Sequence, residues 1–86
     1  MSKTADKRLQ RRVEQAEYLW EQAQIKAASA QSVLDYMVEQ FNKFKSELSQ
    51  EQIEQTEDQI ALRQKEIKTF IMDEKKAYEQ RLGIVQ

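Results

Sequence analysis

The 86-residue sequence contains no cysteine, no proline and no histidine, and only one glycine, Gly83. Without cysteine there is no disulfide framework and no thiolate metal site. Without histidine or cysteine, a nucleophile–base pair would have to combine Ser or Lys with Asp or Glu. Such pairs occur here only at the spacing of helix-surface ion pairs, so no catalytic residue is expected and the chain reads as non-enzymatic. A single glycine cannot build a phosphate-cradling loop. The acidic residues lack the glycine-turned loop of a calcium site, so neither metal nor cofactor is expected. No apolar run approaches the roughly 20 residues of a membrane span. No apolar stretch follows the charged opening residues as in a secretory signal, so a cytoplasmic protein without a membrane partner is the expectation. Charge of one sign is also missing. Fourteen basic residues against fifteen acidic ones give a net charge of -1, which points to neither a nucleic acid nor an anionic surface.

What remains is a composition for long helices, rich in Ala, Gln, Glu, Lys and Arg and poor in the residues that punctuate chains. From Leu9 the apolar residues fall at Val13, Ala16, Trp20, Ala23, Ala27, Ala30, Leu34, Met37, Phe41, Phe44 and Leu48. The steps alternate four and three without a slip, a sustained heptad seam that predicts one helix over about 5–47. Thr4 or Ser2 would cap it. The middle of the seam is small and its ends are large. Leu19 and Val33 widen the stripe on one side and Val38 on the other, which suits a bundle better than a two-stranded coil.

At Leu48 the phase breaks, because the next apolar residue, Ile53, is five positions on. Ser49 and Gln52 form a capping-box pair, and Leu48 with Ile53 can staple it. These signs predict a turn over 47–50 and a second helix over about 50–82, carrying Ile53, Ile60, Ile67, Phe70, Ile71, Ala77 and Tyr78 inward. Thr56, Arg63 and Glu74 interrupt that stripe, with Arg63 expected at an exposed edge. Gly83 is placed for a left-handed C-cap, with Ile84 folding back onto Tyr78. Folding the chain at Ser49 sets Phe44 opposite Ile53, Met37 opposite Ile60, Ala30 opposite Ile67, Ala27 opposite Phe70 and Ile71, and Trp20 opposite Ala77 and Tyr78. The small middle of the first helix thus meets the large residues of the second. The expected fold is all-α: a single antiparallel helical hairpin, coiled-coil-like, pairing with a second copy into a four-helix bundle because one hairpin buries little.

Two groups of residues are candidates for binding. Tyr18, Ile25 and Tyr36 lie on the far side of the first helix with Ser29 and Ser32 between them, and with Leu19, Val33 and Val38 they could seat a protein partner. Lys3, Lys7, Arg8, Arg11 and Arg12 form a basic arm with Asp6 as its only acid, in a first turn where cations oppose the helix dipole. That arm suits an acidic protein surface or a nucleic acid. No aromatic is interleaved with these cations to stack bases. The opposite end is acidic, with Glu47, Glu51, Glu54, Glu57 and Asp58 near the turn. The function expected first is a small adaptor, chaperone-like cofactor or regulator that binds protein through helix faces. A nucleic-acid-associated regulator and a structural coiled-coil component are the alternatives.

Overall fold

The computed structural model describes the backbone of residues 3–85 and the side chains of residues 7–83. Helix α1 runs Lys3–Phe44, a short 3-10 turn covers Lys45–Glu47, and helix α2 runs Gln50–Val85. The two helices lie side by side in an elongated body of 69 × 16 × 9 Å. Three cross-helix contacts set an antiparallel register. The Trp20 and Tyr78 rings stack with centroids 5.7 Å apart and planes 17° apart. Lys26 Nζ lies 5.1 Å from the centre of the Phe70 ring. Gln31 and Gln64 exchange amide hydrogen bonds. These meetings match the pairing obtained by folding the sequence at Ser49.

The turn forms from local chemistry alone. The Gln52 backbone N–H donates to Ser49 Oγ at 3.2 Å, and the Ser49 N–H donates to Gln52 Oε1 at 3.0 Å. The capping box therefore satisfies two N–H groups that the start of α2 would otherwise leave bare. Leu48 and Ile53 are both half-buried on either side of the cap. Leu48 is extended, at φ -98 and ψ 149, and its N–H closes the 3-10 turn onto the Lys45 carbonyl at 3.1 Å. No glycine or positive φ is needed. The regular α-helix ends at Phe44 because the chain tightens into this 3-10 turn, three residues before the boundary expected from the heptad pattern.

Among the described residues four side chains form the buried core: Ala16, Ala23, Ala27 and Leu34. Three of the four are alanines, all on α1, and α2 covers them with the half-buried Ile60, Ile67, Phe70, Ile71, Glu74 and Tyr78. The small residues in the middle of the α1 seam let the larger α2 side chains settle onto its backbone.

Several expectations change at the edges of this core. Ala30 is exposed, and with Ile67 it lines an open groove between the helices. Phe44 is 44% exposed, because the helix gives way to the 3-10 turn beside it. Gly83 is no left-handed cap. It is helical, and α2 continues to Val85. Glycine permits the left-handed state without requiring it. Thr4 lies inside α1 instead of capping it. Ser2 and the Ile84 side chain lie outside the described residues. Arg63 sits at the exposed edge as expected, whereas Thr56 and Glu74 are half-buried.

Candidate protein-docking surfaces

The six apolar candidates do not form one site. Heptad spacing and hairpin geometry divide them among three surfaces. Tyr18, Ile25 and Tyr36 stand on the back of α1, all more than half exposed. No residue of α2 reaches them, because they sit on the side of α1 opposite the seam.

Leu19 and Val33 lie on one flank of the hairpin. Val33 is 58% exposed and lines an open groove of about 310 Å³ with Lys26, Ala30, Arg63, Ile67 and Phe70. The groove exists because Ala27 and Ala30 are too short to meet Phe70 fully. Lys26 stretches over the Phe70 ring at one edge, where an ammonium over an aromatic face is electrostatically favourable. Leu19 is half-buried and belongs to a second depression at the open end of the same flank, lined also by Arg12, Gln15, Ala16 and Arg81. Arg81 Nη1 is buried there without a hydrogen-bond partner.

Val38 is on the opposite flank. It lines a shallow trough with Leu34, Phe41, Ile60 and Ala61, and the Gln64 side chain forms part of its wall. Gln31 Nε2 donates to Gln64 Oε1 and Gln64 Nε2 donates back to Gln31 Oε1, both at 3.1 Å. Gln31 Nε2 also reaches Asp35 Oδ1 at 3.0 Å. Polar pairing forms part of the wall of this flank, but its trough of about 470 Å³ is open and apolar, as is the Val33 groove.

Of the basic arm, Lys7, Arg8, Arg11 and Arg12 are exposed on α1. The Lys3 side chain lies outside the described residues. Arg12 lines the open-end depression with Arg81, and Lys7, Arg8 and Arg11 lie further towards the start of α1. Among the described residues no cluster of acidic or other ligating side chains is arranged to hold a metal ion. No described helix is long and apolar enough to cross a membrane.

Sequence reasoning missed Phe70 as a groove wall, Arg81 beside Arg12 in the open-end depression, and the Gln31–Gln64 pair. A signal was present for the first two. Arg81 lies eighteen residues beyond Arg63, five whole helical turns, so both point to one flank. Phe70 is one turn from Ile67 towards that same flank. The glutamine pair had no such signal, because the sequence is rich in glutamine on every face.

Comparison with protein-family models, curated proteins and solved structures finds no match.

Proposed function

We propose that this chain is a non-enzymatic helical interaction protein that binds a protein partner through its helix faces and works as a homodimer, two hairpins forming a four-helix bundle. The observation that carries this reading is the excess of apolar surface over core. Four of the described residues are buried, while Tyr18, Ile25, Val33, Tyr36, Leu62 and Met72 all stand more than half exposed. They lie on more than one side of the hairpin, so a single contact cannot cover them all. Exposed apolar patches on a small helical protein mark sites of association. A tagged full-length protein should recover a defined partner from its native cells. The variant carrying Tyr18→Glu, Ile25→Glu and Tyr36→Glu should lose that partner while keeping its helix content. An unchanged set of recovered proteins would remove the back of α1 from the reading.

A second reading has one observation in its favour. Lys7, Arg8, Arg11 and Arg12 are exposed together in the first turns of α1. In that reading the arm contacts nucleic-acid phosphates. Binding that weakens steeply as salt is raised would support it. No shift with duplex or single-stranded nucleic acid at low salt would exclude it.

A further inference from the structure

The chain exposes far more surface than its mass requires. A compact monomer of 10.2 kDa would expose about 5,300 Å² by the general area–mass relation. This chain exposes 7110 Å². The excess of about 1,800 Å² is more than twice the roughly 800 Å² that each partner contributes to a stable interface. The Val33 flank is where that excess can be removed without disturbing the hairpin.

Three features share this flank. The groove at Ala30, Val33, Ile67 and Phe70 lies at mid-length. The depression at the open end, about 350 Å³, has a floor of Ala16 and Leu19 and a rim of Arg12 and Arg81. Near the turn, the 44%-exposed Phe44 ring carries Lys43 Nζ 5.5 Å above its centre. Lys43 lies one heptad beyond Tyr36, on the side of α1 next to Val33, so the ring leans towards this flank. A two-fold axis at the groove centre, beside Ala30 and Ile67, pairs positions equally distant from Ala30 on α1. It carries Phe44 onto position 16, the floor of the open-end depression, and Val33 onto position 27, beside Phe70. It also carries Arg12 onto position 48 and Arg81 onto position 53, at the turn with Glu47 and Glu51. An ordinary parallel arrangement of the hairpins would instead set Arg12 against the partner's Arg81.

We propose that a second copy of the chain docks antiparallel on this flank, about a two-fold at Ala30 and Ile67, and that Phe44 of each copy fills the open-end depression of the other. The inference rests on the dimer in the reading above and specifies its face and direction. The phenyl ring covers Ala16 and Leu19 and presents its π-face to the Arg12 and Arg81 guanidinium groups, a favourable pairing that two arginines alone would not find. Basic open ends meet acidic turns at both ends of the bundle, which fixes direction, while the groove and Phe44 supply the apolar contact.

The chain has no native cysteine, so introduced thiols report contacts cleanly. Under mild oxidation, full-length Ala30→Cys should form a disulfide dimer at least tenfold faster than Ser32→Cys, which lies on the back of α1. A mixture of Gln15→Cys and Phe44→Cys should form a mixed dimer faster than either alone. On one helix these positions are about 44 Å apart, so the bond between them must join two chains. Phe44→Ala should weaken association about tenfold or more with unchanged helix content. Equal rates for Ser32→Cys and Ala30→Cys, or no mixed product, would overturn the docking face. Association unchanged by Phe44→Ala would overturn its role. A wild-type chain that sediments as a folded monomer at high concentration would remove the dimer altogether. The protein-partner reading would survive that result, because its own test uses the back of α1.

Discussion

Replacing Gln31 by leucine should destabilise the protein, and replacing Gln64 as well should restore most of what was lost. The two amides exchange two hydrogen bonds of 3.1 Å across the helices. Each such bond contributes about 0.5–1.5 kcal/mol net. Gln31→Leu removes both and leaves the Gln64 amide facing an apolar neighbour. Both residues are half-buried, so water can reach part of the orphaned amide. The cost should therefore fall near about 1 kcal/mol instead of the upper end of the 1–3 kcal/mol range for a buried unsatisfied group. Gln64→Leu should cost a similar amount, with slightly less disruption because Gln31 retains its contact to Asp35. In the double variant no amide is orphaned and two leucines meet across the flank. Its stability should return to within about 0.5 kcal/mol of the starting protein, a coupling of about 1–2 kcal/mol. The measurement is a double-mutant cycle by urea denaturation at one fixed protein concentration, since association contributes to apparent stability. Additive losses, with the double variant less stable than either single one, would refute the reciprocal pair.

Three further outcomes are expected. Ser49→Ala removes the oxygen that accepts the Gln52 N–H, so it should cost about 1 kcal/mol in denaturant midpoint and loosen the turn; no change would mean that the cap does not hold α2. Ala23→Leu pushes a larger side chain into a site 4% exposed and should cost about 1–3 kcal/mol, while Ala28→Leu on the exposed side should be nearly neutral; equal melting temperatures for the two would show that α2 does not press on Ala23. Spin labels at positions 30 and 67 should report a short distance, whereas a continuous helix would separate them by about 55 Å.

The hairpin is legible in the sequence because its information is local or periodic. The heptad run from Leu9 to Leu48 sets which side of α1 faces inward. The five-residue step to Ile53 marks the break, and Ser49 with Gln52 supplies the cap. Pairing by distance from the turn then predicts that Trp20 meets Tyr78. Less legible is the behaviour of the edges. Ala30 and Phe44 continue the seam perfectly, yet both are exposed. Periodicity gives the bearing of a residue and says nothing of whether the opposite helix is broad enough to cover it. Gly83 misleads for a related reason: a residue that tolerates a left-handed cap still follows the helix when nothing pulls the chain away. The candidate surfaces are half legible. Tyr18, Ile25 and Tyr36 are exposed as their spacing implies, and Leu19 and Val33 share a flank. That Val38 faces the other way follows only from its place on the other side of the seam.

The distribution of small and large residues explains why the two flanks differ. α1 contributes alanines to the seam and α2 contributes isoleucine and aromatic residues, so each α2 side chain rests on a low surface and overhangs it on one side. On the Val38 flank the overhang is bordered by Gln31 and Gln64, whose amides satisfy each other beside the apolar trough of Leu34, Val38, Phe41, Ile60 and Ala61. On the Val33 flank the bordering polar groups are Lys26, Arg63 and Glu66, long side chains that can swing outward and keep their charges in water. A flank bordered by such residues can be covered without stranding a charge, whereas covering the glutamine flank would bury amides already paired within the chain. Both flanks therefore offer apolar surface, and they differ in whether the border is mobile charge or a fixed amide pair. A two-fold contact on the Val33 flank uses the same patch on both copies, so it closes after a single antiparallel partner.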